Sequence, residues 1–548
     1  MPENLLIELE GITMSLRSTA EIVSDCLERA GTQYIFGYPG GQNIRFIEAL
    51  YGSKVKFILV THEACAGFMA DVYSRLTGNV GACLSTLGPG ATNMTTGVGN
   101  AFLDRVPVLA FTATMGRIWK GRTVQMQIDH RKLYAPITKW SAELATGKIY
   151  PVLTKAITVA LSEQPGPVHL DFPEDVAEEL SPETCFGFPG APPAVGRPDE
   201  QALRDAEKLI AQAKRPLVAI GLTMNRAHAT PELREFIQKN NLPVVSTMMA
   251  KGHINEDSSQ FVGVLGRARR DIVCEYCHSA DLVIALGYDP IEFNYEDWLP
   301  KDVPLVHIDS VPADIAPGFS VACEICGDIR TSLQRLLQIP LINHQWEDYH
   351  RKAHQKKLKE AFNPVSKTFT PQQALSAMRE VLPADGILVS DVGAHTHIIG
   401  QLWNPREPGR LLVSNGWSSM GFAIPAAIAA KLVHRERPVI ACTGDGGFLM
   451  MVGEISTAVR LSLPVIFIVL RDNYLSLINV KQVRKRYHPS GVALFNSDYR
   501  SSDNFFGAEV IVAAGEEEFR AALHRSLKCE KPIVIETLID PLEYQRLI

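Results

Sequence analysis

The segment from Pro438 to Asn473 constrains the fold of this 548-residue chain more than any other. It starts with an apolar run predicted to form a buried strand and passes through Gly-Asp-Gly-Gly into a stretch with helical periodicity, 448–461. A second apolar run and Arg-Asp-Asn close it, so the order predicts a β-α-β unit. Because both strands of such a unit end at the same edge of a parallel sheet, Asp445 and Asp472 should lie close together there.

Two carboxylates at one edge repel each other unless a cation lies between them. Oxygen ligands favour Mg²⁺ or Ca²⁺, and Mg²⁺ typically combines one or two carboxylates with phosphate and water. Gly444, Gly446 and Gly447 let phosphate oxygens approach the main chain near the start of the helix. We therefore predict a metal-bridged diphosphate site, with an ordinary Gly-Asp-Gly turn as the alternative.

The segment resembles the thiamine diphosphate (ThDP) signature, which opens with Gly-Asp-Gly and closes near Asn-Asn or Asp-Asn. The resemblance implies that Asp445, Asp472 and the main-chain oxygen of Tyr474 bind Mg²⁺. It also implies that Gly446 and Gly447 contact the cofactor. Arg471 stands where the family usually has Asn, and this departure leaves the ligand Asp472 in place.

Composition and charge argue against several classes of protein. A net charge of −6 and the lack of a long basic block give no reason to expect a nucleic-acid partner. No apolar run approaches the roughly 20 residues that span a bilayer, and residues 1–5 do not begin a secretion signal. We expect a cytoplasmic protein that does not associate with membranes.

The ten cysteines include two close pairs, Cys274 with Cys277 and Cys323 with Cys326. The gap between the pairs is far longer than the usual zinc-site spacing. Cys323 and Cys326 lie on a predicted extended segment, where residues three apart point to opposite faces. Reduced thiols are predicted, with a zinc site as the less favoured alternative.

Glu63 follows a predicted strand, 57–60, and opens a predicted helix, 64–76. A carboxylate in a first helical turn is ordinarily explained by the helix dipole. The surrounding segment Val60–Gly67, however, is similar to the family segment whose glutamate contacts the cofactor's aminopyrimidine. The resemblance implies that Glu63 is the general acid/base there.

The turns at 37–41 and 85–93, taken with Glu63, match the pyrimidine-binding domain of acetolactate synthases in order and spacing. Leu87 stands where the family often has Ser, and Met126 stands where it has Gln three residues before Asp129. The substrate and its orientation therefore stay open. The resemblance suggests these substrate contacts: Gly41, Gln42, Leu87, Met126, Gln127 and Trp417.

Two segments of the C-terminal third, 390–395 and 414–425, also resemble the family. The resemblance places Met420 between the two cofactor rings, with the main chain of Ser418 and Met420 against the pyrimidine. Core filler is the alternative for Met420, and a hydrogen-bonded structural role is the alternative for His395. The remaining predicted cofactor contacts are Gly393, Ala394, His395 and Leu477.

The fold class expected is α/β, with three doubly wound parallel-sheet domains. They are a pyrimidine-binding domain (1–185), a central domain (197–340) and a diphosphate-binding domain (366–548), with a linker at 186–198. The central segment from Gly287 resembles that of FAD-free, catabolic acetolactate synthases, so FAD is not expected.

Glu63 and the two aspartates lie at opposite ends of the chain. In the family such groups meet across a subunit boundary, which implies a homodimer at minimum and favours a homotetramer. The implied activity is ThDP- and Mg²⁺-dependent decarboxylation of a 2-oxo acid, pyruvate favoured, with carboligation to a second 2-oxo acid to give acetolactate.

Two alternatives stay open. One is a 2-oxo acid decarboxylase or carboligase with another substrate or an aldehyde acceptor. The other is a protein of this fold that binds cofactor or partners without turnover.

Overall fold

The computed structural model describes residues 6–9, 12–188, 194–340, 342–494 and 502–548. Three sheets that are parallel apart from one edge strand, each flanked by helices, confirm the predicted α/β class. By compactness the chain divides into two units. The first holds the described residues up to 193 with 417–435 and 451–461, and the second holds the described remainder.

The N-terminal sheet has six parallel strands in the order β5-β4-β6-β7-β9-β8. Two small antiparallel pairs, β1 with β2 and β3 with β10, accompany it. The strands of this part are Leu6–Leu9 (β1), Ile12–Ser15 (β2), Arg17–Ser18 (β3), Tyr34–Gly37 (β4), Lys56–Leu59 (β5), Gly81–Ser85 (β6), Val108–Thr114 (β7), Trp140–Glu143 (β8), Val168–Pro173 (β9) and Leu180–Ser181 (β10). The helices are Thr19–Arg29 (α1), Ile44–Tyr51 (α2), Glu63–Thr77 (α3), Pro89–Leu103 (α4), His130–Tyr134 (α5), Ile149–Leu161 (α6) and Glu174–Glu178 (α7).

The central sheet is also parallel, with the order β13-β12-β11-β14-β15-β16. Its strands are Pro216–Ile220 (β11), Val244–Ser246 (β12), Phe261–Val264 (β13), Leu282–Leu286 (β14), Leu305–Asp309 (β15) and Val321–Cys326 (β16). The helices of this part are Glu200–Gln212 (α8), Met224–Ala227 (α9), Thr230–Asn240 (α10), Arg270–Cys277 (α11), Ile329–Leu336 (α12) and Asp348–Ala361 (α13).

The C-terminal sheet has the order β18-β17-β19-β20-β23-β22-β21, with only β21 antiparallel to its neighbour. Its strands are Ile387–Ser390 (β17), Leu411–Val413 (β18), Val439–Gly444 (β19), Ile466–Arg471 (β20), Ser502–Phe505 (β21), Ala508–Ala513 (β22) and Ile533–Leu538 (β23). The helices are Pro371–Val381 (α14), Ala394–Leu402 (α15), Ala423–Val433 (α16), Asp445–Met451 (α17), Ile455–Arg460 (α18), Ser476–Arg484 (α19), Glu516–Ser526 (α20) and Leu542–Leu547 (α21). Of these helices, α16 and α18 belong to the first compact unit.

The central strands of all three sheets are buried along their whole length, as in β7, β14 and β20. Strands covered by helices on both faces read as continuous apolar runs, which is why the sequence indicated them. The helix predicted at 448–461 differs from expectation. It begins at Asp445 and is interrupted by a 3-10 turn, Val452–Glu454, where the carboxylate of Glu454 accepts hydrogen bonds from Thr61.

Cys26 of α1 and Cys185 form a disulfide that the sequence did not indicate. The other eight cysteines are free, and on β16 Cys323 is buried while Cys326 is exposed. No group of three His, Cys, Asp or Glu side chains that could hold a metal occurs in the described part of the chain. Residues 189–193 of the predicted linker, and residues 1–5, lie outside that part.

No helix among the described residues is both long and apolar enough to cross a bilayer.

Candidate active site

Asp445 and Asp472 lie together at the carboxyl ends of β19 and β20, as the β-α-β pattern predicted. The main-chain N–H of Asp472 donates to Asp445 Oδ1 (3.3 Å), and that of Asn473 donates to Oδ2 (2.7 Å). Asp472 in turn accepts from the N–H of Tyr474 (2.9 Å) and from Ser476 Oγ (2.6 Å). Both carboxylates are therefore oriented by short-range contacts in the turn after β20.

Asp445 and Asp472 are both buried, and the nearby charge of Arg471 partly opposes the rise in the pKa of Asp445. Burial raises the pKa of Asp472 to about 7, and the adjacent carboxylate of Asp445 adds to the shift. Burial also raises the pKa of Asp445. Arg471 forms an ion pair with the fully buried Glu536, so its charge is shared with a third carboxylate. Two adjacent buried carboxylates are oxygen donors of the kind that could hold a hard divalent cation.

Gly447, two residues after Asp445, leaves no room for a side chain. A Cβ at Gly447 would lie 2.0 Å from Asp391 Oδ2, whereas Gly446 is half-buried within α17. At the start of α15, Gly393 and the buried Ala394 precede His395. The Nε2 of His395 is buried and has no hydrogen-bond partner among the residues that the structure describes, and burial lowers the pKa of His395 to about 4.

The other predicted residues of this region lie on α19 and just before it. Leu477 is half-buried and packs against the apolar core of the C-terminal sheet. The side chain of Tyr474 is exposed, and its main chain follows the Asp472 turn directly.

Glu63 is the first residue of α3, in the first compact unit, and is 9% exposed. Asn93 Nδ2 donates to Glu63 Oε2 (3.0 Å). Gly90, in the first turn of α4, lies so close that a Cβ there would be 3.2 Å from Oε1. No hydrogen-bond donor to Oε1 occurs among the described residues, so this oxygen can exchange a proton with a ligand.

The predicted substrate residues differ in exposure. Gly41 is exposed, and Gln42 Oε1 accepts from Thr86 Oγ1 (3.3 Å). Leu87 is fully buried, main chain included. Met126 has φ +65° and is 39% exposed, and Gln127 is exposed beside it.

The loop before α16 lies against the helices that carry Glu63 and Asn93. The indole of Trp417 covers Gly99 of α4, where a Cβ would approach the ring to 2.8 Å. Ser418 has φ +51°, and Met420 is half-buried. Phe422 contacts the ring of Phe68 on α3, with the centroids 5.5 Å apart.

Sequence analysis missed the partners that orient these groups. Asn93 was noticed as part of a turn but not as the donor to Glu63. Glu454, which is fully buried and accepts from the N–H (2.9 Å) and Oγ1 (2.6 Å) of Thr61, carried no signal because its partner is 393 residues away.

Comparison with known proteins agrees with this geometry. Three domain families of the thiamine pyrophosphate enzymes match the chain. The N-terminal TPP binding domain matches residues 17–133, the central domain 203–336 and the C-terminal TPP binding domain 391–537. The two TPP binding domains contain Glu63 and the aspartate pair respectively.

Whole proteins are similar over nearly their full length. The chain is 30% identical to an acetolactate synthase of Bacillus subtilis (strain 168) over 531 residues, 95% of this chain and 93% of that one. It is 28% identical to a catabolic acetolactate synthase of Raoultella terrigena, over 95% of each chain. It is also 30% identical to the putative thiamine pyrophosphate-containing protein YdaP of B. subtilis, over 96% of this chain and 92% of that one. The chain therefore belongs to the acetolactate synthase family of ThDP-dependent enzymes.

Proposed function

We propose that this enzyme is an acetolactate synthase that uses pyruvate as both donor and acceptor. The observation that carries the proposal is the Glu63 carboxylate, held by Asn93 at one oxygen and, among the described residues, without a donor at the other. A nearly buried carboxylate so placed suits proton exchange with a ligand that excludes water. Similarity to relatives named acetolactate synthase supports the choice of reaction.

The residues present fit ThDP with Mg²⁺. Asp445, Asp472 and the main-chain oxygen of Tyr474 would hold the metal, because the two carboxylates are buried together at the carboxyl ends of β19 and β20. The main chain at Gly446 and Gly447 and the unpartnered Nε2 of His395 would hold the diphosphate. When bound, ThDP supplies a nucleophilic carbon and an electron sink.

The chain's own groups have distinct tasks in this proposal. Glu63 holds or accepts a proton at Oε1, and Asn93 keeps the carboxylate in place. His395 is neutral in the buried site, and an anionic diphosphate beside Nε2 would favour its protonation. Met420 separates the two cofactor rings, and the main chain of Ser418 binds the pyrimidine. Gly393, Ala394 and Leu477 complete the cofactor contacts.

The substrate contacts proposed are the residues that surround the turn at 87–90 and the loop before α16. At position 126 the exposed thioether of Met126 stands where the resemblance would place a glutamine amide. For this reason a second substrate other than pyruvate stays an alternative. An aldehyde or a bulkier 2-oxo acid could then take the acceptor position. The proposed substrate residues are Gly41, Gln42, Leu87, Met126, Gln127 and Trp417.

We propose that FAD is not required. In a doubly wound domain the turn after the first strand holds the phosphate of a dinucleotide. Here the N–H of Leu222, just after β11, donates to the carboxylate of Glu292 (2.8 Å). Glu292 also accepts from Thr247 Oγ1 (2.6 Å) and from the N–H of Met249 (2.8 Å). That a protein carboxylate already accepts from the main chain after β11 supports this proposal, and desolvation raises the pKa of Glu292 to about 7.

Glu292→Gln should lower the free energy of unfolding by about 1–3 kcal/mol, because the amide nitrogen cannot accept from the donors that the carboxylate serves. Chemical denaturation measures this change, with the exposed Asp297→Asn as control. Equal stability of the two variants would contradict the role of Glu292 as the acceptor for the donors after β11. Added FAD should change neither stability nor activity of the unmodified enzyme.

The assembly proposed is a homodimer at minimum, with a homotetramer favoured. Large apolar side chains of the first unit are exposed in the single chain, including Tyr51 (92%) and Ile118 (80%). Such side chains suit contact with another copy. A cytoplasmic location belongs to the same proposal, since eight of the ten cysteines are unpaired.

Incubation with pyruvate, ThDP and Mg²⁺, without FAD, should give acetolactate, with one CO₂ released for two pyruvate consumed. Chromatographic separation of acetolactate from acetaldehyde, with CO₂ followed in parallel, measures the outcome. Acetaldehyde with one CO₂ per pyruvate would instead identify a decarboxylase. Turnover only of other 2-oxo acids would correct the substrate and keep the cofactor site.

A further inference from the structure

A buried histidine lies behind the turn at 87–90, in the first compact unit. His130, the first residue of α5, is 1% exposed. Its Nε2 accepts a hydrogen bond from the main-chain N–H of Gly88 (3.1 Å). Its Nδ1 lies 3.1 Å from Asp171 Oδ1. Because a main-chain N–H can only donate, the proton of His130 is on Nδ1 and is donated to Asp171.

Asp171, on β9, belongs to a wider polar network of side chains from the N-terminal sheet. Its Oδ1 also accepts from Thr112 Oγ1 (2.7 Å). Thr112 Oγ1 is 2.8 Å from Nε2 of His169, whose Nδ1 is 2.7 Å from Ser141 Oγ. Burial lowers the pKa of His169 to about 4, so this second imidazole is neutral. The acceptor of His130's proton is therefore itself fixed on more than one side.

The other end of α5 also contacts α4. Tyr134 stacks on His169, with the ring centroids 4.2 Å apart, and its hydroxyl donates to the carbonyl of Ala91 (2.7 Å). The short helix α5 thus contacts two neighbouring segments. His130 binds Gly88, in the turn before α4, and Tyr134 binds Ala91, in the first helical turn of α4. This region of main chain leads directly to Gly90 and Asn93, which contact Glu63.

The turn has a main-chain conformation that glycine adopts readily and that residues with a side chain rarely adopt. Gly88 has φ +58° and ψ −110°, and a Cβ there would lie 2.5 Å from the carbonyl oxygen of Met126. Met126 itself has φ +65°. The segments that contain Gly88 and Met126, both with positive φ, therefore pack against each other. The main-chain N–H of Gly88 donates its hydrogen bond to His130.

We propose that His130 is a positioning residue: it links Asp171 to the main-chain N–H of Gly88 and so holds the turn in the conformation in which Asn93 donates to Glu63 and Met126 packs against Gly88. This inference rests on the proposed role of Glu63 as acid/base. His130 does not touch the reacting atoms and acts only through the turn.

His169 provides a matched control within the same network. Both imidazoles are buried and both approach Asp171 Oδ1, at 3.1 Å for His130 and 3.5 Å for His169. Only His130 bonds the turn. His130→Phe and His169→Phe each keep a flat ring and remove both nitrogens, so they should lower the free energy of unfolding by similar amounts. Only His130→Phe should remove the hydrogen bond from the N–H of Gly88.

The first measurement uses cofactor-free protein. Amide hydrogen exchange followed by mass spectrometry should show faster exchange in a peptide covering 86–93 for His130→Phe, but not for His169→Phe. In the ThDP- and Mg²⁺-loaded protein, His130→Phe should slow exchange of the cofactor's C2 proton about tenfold, as expected for one lost hydrogen bond. ThDP affinity should stay within about threefold, since no contact with the cofactor is removed.

His130→Gln should restore most of the C2 proton exchange rate. The Oε1 of the glutamine can accept from the N–H of Gly88, and its amide nitrogen can donate to Asp171. Equal effects of the two Phe variants on peptide exchange and on C2 exchange would overturn the inference. If His130→Phe does not fold, His130→Leu takes its place in the same comparison. Loss of C2 exchange in the unmodified enzyme would instead contradict the proposed function, and the peptide measurement would still judge His130.

Discussion

Glu63→Gln should slow C2 proton exchange of bound ThDP by about 10²–10⁴-fold, the usual contribution of a general acid/base. The amide can still accept from Asn93 through Oε1, so the side chain should keep its place. Its nitrogen cannot take up a proton near neutral pH, and proton exchange with the cofactor is lost. Acid quenching in deuterated buffer followed by proton NMR of the released cofactor measures the rate, and calorimetry should show ThDP binding retained.

Asp71→Asn is the control for removing a buried carboxylate from the same helix. Asp71 is fully buried, pairs with Arg75 and accepts from Asn100 Nδ2 (3.0 Å), two turns beyond Glu63. This variant should lose stability while folded protein exchanges C2 at the normal rate. An unchanged rate in Glu63→Gln would contradict the role assigned to Glu63.

Asp445→Asn should weaken Mg²⁺-dependent ThDP binding by more than about 100-fold, since loss of a direct ligand should exceed the effect of losing a residue that only orients one. The remaining carbonyl oxygen can still accept from the main chain of Asn473. The amide nitrogen cannot accept from the main-chain N–H of Asp472, so the cofactor-free variant should also lose about 1–3 kcal/mol of stability, as the control below does. Calorimetric titration at fixed Mg²⁺ and thermal unfolding without cofactor measure the two effects.

Glu543→Gln is the matched control in the second compact unit. Glu543 is fully buried, accepts from the N–H groups of Val365 and Ser366, and pairs with Arg546. This variant should be less stable than the unmodified protein but should bind ThDP normally. Unaltered ThDP affinity in Asp445→Asn would count against the metal site.

Sequence patterns were sufficient for features that depend on neighbours along the chain. The apolar runs that became β19 and β20 are buried on both faces, and the fixed direction of a β-α-β unit brings Asp445 and Asp472 to one edge. The helix after Asp445 was less predictable. Its interruption at Val452–Glu454 accompanies a contact with Thr61, and nothing in the local sequence indicates that partner.

Resemblance to a family identified Glu63, but not the contacts that hold it. Asn93 is 30 residues away, and the support of Gly88 by His130 spans 42 residues. The departures from the family at Leu87 and Met126 could be seen in the sequence. Only the structure showed that Leu87 is fully buried and that Met126 has a positive φ.

The sequence by itself determined the α/β class, the family and the meeting of Asp445 and Asp472 at one sheet edge, because burial periodicity and strand direction are local properties of the chain. Tertiary structure alone decided which polar groups meet, as in Glu292 with Leu222 and His130 with Asp171. A hydrogen bond between distant segments depends on angstrom-scale packing of several elements, and it leaves no periodic pattern in the residues that form it.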